Sequence, residues 1–345
     1  IELNIPIKQP GKTVSLNGII ALSNSTLKAP IKDLKLDNVN GNIAFTRNSV
    51  SSETLSASFV EKPVSLVISG SKLEPDNLPS MKIKGIFDNE FVADRLIEYF
   101  PALLSLEHYL RDRMQGDAEW NISLSNLPGD DTGKVVKKLE AQSWLNGLQL
   151  DYPAPIGKAS YRARPLAVTT FLEKDQPQKV DVKYAEILNA ELLLDANKKI
   201  HTINMHFGKE QAPSNARPGL NITGAVDKLV ATEWWDVIKP KASDNKKTTN
   251  GIIQTGISVA LQVLSLDLLK KDFSDVSLTI QRPEEIWQFN LSADAISGNI
   301  QIPVDRTNNN LISFQMDKLE LKPRQGHAEE DSDVDKIQAA EIPSI

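Results

Sequence analysis

The chain has 345 residues with 45 Asp and Glu against 39 Lys and Arg, a net charge of −6, so no global field draws it to nucleic acid or an anionic membrane surface. Apolar residues make up 40% and the 17 glycines bring the sum into the usual range of about 45–50%, which excludes global disorder. Cysteine is absent, which excludes a disulfide framework, a thiolate zinc site and a cysteine nucleophile.

At roughly 150 residues per domain the length suits about two domains or one long repetitive one. Ile1–Ile7 already reads like the interior of a strand, so the sequence reads as an excerpt of a longer protein. Period-2 alternation then dominates. Leu16, Ile20 and Leu22 alternate with Ser15, Asn17 and Ala21, and Phe45 closes the next run, Gly41–Phe45. Asn89–Met114 breaks this pattern with apolar residues near helical spacing, and Pro101 kinks or splits the helix it predicts. Its Leu96, Phe100, Leu103 and Leu104 are candidates to lie against or inside a groove and narrow it.

Alternation resumes with Trp120, Ile122 and Leu124, and again with Leu220 and Ile222. A second short helix is expected over about 227–238, with the Trp234–Trp235 pair. Residues 240–250 are rich in Lys, Asn, Ser and Thr and read as a polar linker between a β segment at 1–239 and its continuation at 251–323. Ile252–Leu269 is interrupted by Gln254, Thr255, Ser258, Gln262, Ser265 and Asp267, so it does not read as a membrane span. It carries Val259 and Leu261, followed by the pairs or triplets Leu278 and Ile280; Trp287, Phe289 and Leu291; Ile300 and Ile302; Ile312, Phe314 and Met316. Residues 324–345 begin acidic and read as a flexible linker without the spacing of a calcium loop.

Chemistry-bearing patterns are missing. None of His108, His201, His206 and His327 has a partner at metal-ligand spacing, and His201 and His206 fall on opposite faces of one predicted strand. Neither a nucleophile elbow, a Walker loop, a dinucleotide fingerprint nor a zincin helix is present. Asp130–Asp131 sits in the Pro128–Gly129 turn, and Asp117 with Glu119 reads as strand-edge charge. The expectation is a non-enzyme with no cofactor and no metal. Aromatic residues share a face with Leu, Ile and Val, which suits a core or lining better than base stacking.

The runs amount to roughly 18–20 strands, whereas open sheets rarely exceed about 10 without curling, splitting or closing. Two helical stretches cannot cover so long an apolar face. It must close as a barrel or sandwich, or curl into a trough.

Leu145–Tyr161 reads Leu-Asn-Gly-Leu-Gln-Leu-Asp-Tyr-Pro-Ala-Pro-Ile-Gly-Lys-Ala-Ser-Tyr and resembles the L-x-G-L-x-x-D-x-P-x-P-x-G-K segment of the YhdP branch of AsmA-like proteins. Gly41–Ile68 is similar to that family's G-x-I-x-F repeat unit, and Leu96–Asn121, with Phe100-Pro101 and Trp120, to its helix-to-strand unit. His206–Trp235 and Trp287–Leu321 resemble two further passages, so the likeness covers most of residues 30–321 in family order. The resemblance implies a mostly β protein, a long curled antiparallel sheet forming a taco-shaped hydrophobic groove. It implies a periplasmic segment of an inner-membrane-anchored bridge, anchored upstream of Ile1, that conducts phospholipid between inner and outer membrane. The partners so implied are phospholipid and the two membranes, through parts outside this segment; nucleic acid is not among them. The twenty alternating residues named above, from Leu16 to Met316, are the expected lining. A non-transporting β-rich scaffold of the envelope and a glycan- or lipoprotein-binding module stay open as alternatives.

Overall fold

The computed structural model describes residues 2–4, 15–28, 34–71, 79–99, 111–127, 136–172, 178–197, 199–212, 217–238, 256–268, 270–282, 286–303 and 312–320. Phe100, Leu103 and Leu104, together with residues 240–250 and 324–345, lie outside this set.

Among the described residues there are 21 strands, and 19 of them form one sheet. In chain order the first nine are β1 (Glu2–Asn4), β2 (Ser15–Lys28), β3 (Lys35–Thr46), β4 (Ser49–Ser52), β5 (Leu55–Phe59), β6 (Lys62–Ser71), β7 (Ser80–Asp88), β8 (Met114–Gln115) and β9 (Asp117–Leu127). Next come β10 (Val136–Ser143), β11 (Gln149–Leu150), β12 (Leu166–Leu172), β13 (Gln178–Tyr184), β14 (Leu188–Leu194), β15 (Ile200–Phe207) and β16 (Gly219–Val230). The last are β17 (Ile257–Leu268), β18 (Lys271–Gln281), β19 (Ile286–Ser292), β20 (Ile296–Pro303) and β21 (Ser313–Leu319). Among the described residues the helices α1 (Asn89–Tyr99) and α2 (Ala231–Ile238) interrupt them, and Arg111 and Asp112 are helical as well.

Pairing follows chain order from β1 to β21, with β4 and β5 sharing one place between β3 and β6, and β8 and β11 pairing apart from the main sheet. At about 4.8 Å per strand the sheet extends roughly 85 Å in the stacking direction. It is mixed rather than wholly antiparallel, because β16 runs parallel to both β15 and β17. Parallel neighbours cannot be joined by a hairpin, and the stretches of sequence between these strands, 208–218 and 231–256, are correspondingly long. The first crossover starts on the polar face, where Asn189 Nδ2 donates to the carbonyls of Gly208 (3.0 Å) and Glu210 (2.8 Å). On the same face the polar residues Thr202, Glu191 and Asn204 are buried, and Glu191 accepts from Asn204 Nδ2 and pairs with Lys179 Nζ at 2.6 Å.

The second helix is shorter than its sequence pattern suggests. Asp227–Val230 belong to β16, where Lys228, Leu229 and Val230 pair with Ser265, Leu266 and Asp267, so strand pairing wins over helical periodicity up to Ala231. The first begins at Asn89 as expected, and its described part ends at Tyr99.

Successive strand residues alternate between faces, so registered partners share a face. Following the partners from Phe45 through Val50, Gly70, Ile68, Met81 and Leu124 onward to Phe314 traces one face that is apolar on nearly every strand. Leu36, Leu55, Leu66 and Val276 on it are fully buried, which fits a sheet that curls around this face. Leu66→Ala is therefore expected to cost about 2–5 kcal/mol. Urea denaturation checks this, and an unchanged midpoint would mean that Leu66 is not a core residue.

Candidate functional site

The strand ends form two rims with different construction. At one rim lie α1, the long loop 144–165, α2 and the turns after β5, β13, β17 and β19; it is called here the helix rim. The opposite rim is made by the other ends, such as Ser71 and Ser80, Leu127 and Val136, Leu172 and Gln178, and Gln281 and Ile286.

At the helix rim α1 and the loop 144–165 pack against the apolar face. The α1 ring Phe91 stacks on Phe87 with centroids 4.6 Å apart and meets Phe59 edge-on at 5.7 Å, and both partners are apolar-face residues at the ends of their strands. Asp88 caps this helix: its Oδ1 accepts from Phe91 N at 2.8 Å while Lys62 Nζ donates to Oδ2 at 2.5 Å. The lysine first, and then the amide, hold the Asp88 carboxyl below the usual carboxylate range. A lowered carboxyl pKa stabilises the fold above its unfolded value near 4, and the contribution is lost as pH falls through the folded value. Hydrogen exchange of the first α1 amides should therefore stay constant from about pH 8 to 5, once corrected for intrinsic rates, and rise below about pH 4. Asp88→Ala should weaken the helix by about 1 kcal/mol at neutral pH. If this variant keeps the wild-type protection, the cap has no role.

The loop 144–165 carries the proline-rich segment. Leu145 and Leu148 are buried in the main core cluster, and Leu150 and Ile156 pack against it. Lys158, also buried, donates from Nζ to the carbonyls of Leu145 (2.7 Å) and Leu148. Burial first, and then the Arg164 charge, push its pKa down. Arg164 Nη1 donates to the Pro155 carbonyl at 2.9 Å, and Tyr184 Oη, from the apolar face of β13, donates to the Ile156 carbonyl at 2.9 Å. Gly147 has φ 96°, and a Cβ there would come within 2.5 Å of the Asp117 carbonyl oxygen. The segment's Leu, Gly and Lys positions thus build a closed loop at the strand ends, which accounts for their spacing.

A third contact links distant parts of the sheet. Trp234 Nε1 of α2 donates to the Ala154 carbonyl at 3.0 Å, and Arg113 donates to the carbonyls of Asp151 (3.1 Å) and Asp236 (3.3 Å). The loop follows β10 and α2 follows β16, and these strands are separated in the sheet by β12, β13, β14 and β15. At about 4.8 Å per step they would stand roughly 24 Å apart on a flat sheet. Their direct contact draws the helix rim together.

Nineteen of the twenty residues expected as lining fall on the apolar face by register, and Ile312, which precedes β21, has no registered partner. Trp287 opposes Ile302, Phe289 lies between Ile280 and Ile300, and Ile222 lies between Met205 and Val259. Their accessibility differs. Trp120, Leu124, Val259, Leu261, Leu278 and Leu291 are buried; Leu16, Phe45, Ile122, Leu220, Ile222, Ile280, Trp287, Phe289, Ile300 and Ile302 are half-buried. Ile20, Ile312, Phe314 and Met316 are exposed, since they belong to β2 and to the last strand with its approach, where neighbours are fewest. Of the helix candidates, Leu96 is half-buried on α1.

Sequence reading missed Leu66, Ile68, Met81 and Ile83, whose alternation was legible, and the rim residues Tyr184, Leu145, Leu148 and Lys158, whose burial depends on a loop folding over distant strands. Among the described residues no cluster of three His, Asp or Glu could hold a metal ion, and no helix is long and apolar enough to cross a membrane.

No curated protein and no solved structure matches the chain. A family model described as YhdP protein matches residues 1–345. The matched length, the sheet and the closed proline loop agree: the chain belongs to the YhdP family of AsmA-like envelope proteins.

Proposed function

We propose that this chain is a periplasmic segment of a bridge that carries phospholipid between the inner and outer membranes, with acyl chains lying along the apolar face. The observation that carries this reading is the face, apolar on nearly every strand, that follows the register from β2 to β21. An acyl chain gains about 0.8 kcal/mol per CH₂ removed from water. A face roughly 85 Å long offers that gain at many neighbouring positions instead of one, which suits passage more than storage. The process needs no nucleophile, metal or nucleotide, in line with a chain whose motifs are structural.

Native mass spectrometry with lipid extraction of the purified chain tests the reading. Phospholipid retained in stoichiometric amount supports it. A stable, lipid-free chain that takes up no lipid from vesicles of phosphatidylethanolamine and phosphatidylglycerol would leave a scaffold as the better account.

A further inference from the structure

On the polar face, one row of outward positions runs by register from Ser65 on β6 through Lys84, Asn121, Gln142 and Ala167 to Lys183 on β13. At about 4.8 Å per strand it spans roughly 24 Å. It holds no carboxylate, although the chain carries a net charge of −6. In the next row away from the helix rim, Glu140 and Asp181 are already paired, with Lys138 at 2.8 Å and with Lys179 at 3.2 Å. In the next row towards the helix rim stand Ile86, Glu119, Trp144 and Pro165. Glu119 is paired with Lys84 at 2.9 Å, and the other three are apolar. Trp144 is 65% and Ile86 58% exposed. Between the two rows lies a shallow hollow of about 280 Å³, lined by Asn121, Gln142, Trp144, Pro165, Ala167 and Lys183 among others. A second hollow, of about 450 Å³ beside Ser65, Lys84 and Ile86, lies next along the same rows.

We propose that this double row is a glycan-binding track whose ligand is a strand of N-acetylated amino sugars bearing carboxylates. A pyranose ring is apolar on its faces and polar along its edge, the same division that the two rows present. Its C–H groups carry the partial positive charge that the π-face of Trp144 attracts. An acetamido group both donates and accepts a hydrogen bond, as the Asn121 amide does. The Lys183 ammonium supplies the countercharge for a carboxylate. Neither Asn121 nor Lys183 makes a hydrogen bond or ion pair among the described residues, so neither gives up a partner on binding. They stand three strand steps apart, roughly 14 Å, and the small side chain of Ala167 between them keeps the hollow open. An extended peptide fits less well, since β9, β10, β12 and β13 are each paired on both sides and offer its backbone no free sheet edge. The track lies on the face opposite the proposed acyl chains and is independent of them.

Calorimetric titration of the purified chain tests this, with chitotetraose as a neutral probe and soluble peptidoglycan glycan fragments as carboxylate-bearing ones. Both are expected to bind, the acidic fragments more tightly. Trp144→Ala should weaken both about ten-fold, while Trp144→Phe, which keeps a ring, retains most of the affinity. Asn121→Ala should weaken both about three-fold. Lys183→Gln should weaken only the acidic fragments, about five-fold, with Lys183→Arg restoring them. All three positions are exposed, so the circular dichroism of the variants should match that of the wild type. No heat from either probe, or wild-type binding by Trp144→Ala, would overturn the site. Equal loss of chitotetraose and acidic fragments in Lys183→Gln would overturn the carboxylate contact. Binding of the free stem peptide without sugar, abolished in Trp144→Ala, would overturn the glycan assignment in favour of a peptide.

Discussion

Gly157→Ala is expected to break the proline loop. A Cβ at Gly157 would sit 1.8 Å from the Tyr152 carbonyl oxygen, a backbone atom that no rotamer change can move aside. Relief requires the turn at Pro153–Gly157 to open, and with it the Ile156 carbonyl leaves the Tyr184 hydroxyl and the Lys158 ammonium loses its two acceptors. Strain of this kind, with buried polar groups left unpaired, costs about 3–4 kcal/mol. The measurement is a urea midpoint combined with limited proteolysis between Leu145 and Arg164. Lys158→Ala should fall in the same direction by about 2–3 kcal/mol, because the Leu145 and Leu148 carbonyls lose their donor. A Gly157→Ala protein with the wild-type midpoint and an uncut loop would show that the loop tolerates the methyl and that the close approach is not a constraint.

A carboxylate in the middle of the apolar face should empty it of lipid. Ile222 is half-buried between Met205 and Val259, away from both rims, so Ile222→Asp places a charge where acyl chains are proposed to run. The cost of an aspartate at the centre of a hydrocarbon layer is about 2.5–3.5 kcal/mol, equivalent to roughly a 100-fold loss of occupancy. Gln262→Asp, exposed on the polar face where Gln262 opposes Ser277, is the matched control and should leave occupancy unchanged. Lipid per chain, from extraction after exposure to vesicles, reports both. Circular dichroism shows whether the sheet persists. A folded Ile222→Asp protein that retains wild-type lipid would mean that acyl chains do not run along this face.

Alternation along each strand was enough to place Trp120, Phe289 or Ile302 on one face, because a strand's period of two depends on local backbone geometry alone. The absence of catalytic and metal spacing and the proline-rich signature were equally local. The sequence by itself therefore determined a mostly β chain, helical stretches beginning at Asn89 and ending at Ile238, the parity of nineteen of the face residues and the family to which they point. Which of those residues are covered was not legible: Leu261 is buried and Phe314 is exposed although both follow the same alternation, since burial depends on how many strands stand on either side. The parallel placement of β16 escaped the pattern too, as alternation carries no strand direction and only the crossovers decide it. The difference between the rims is tertiary for the same reason. Trp234 and Ala154 are separated by 80 positions in the chain, and nothing local in either predicts the hydrogen bond that joins α2 to the proline loop across the curled sheet.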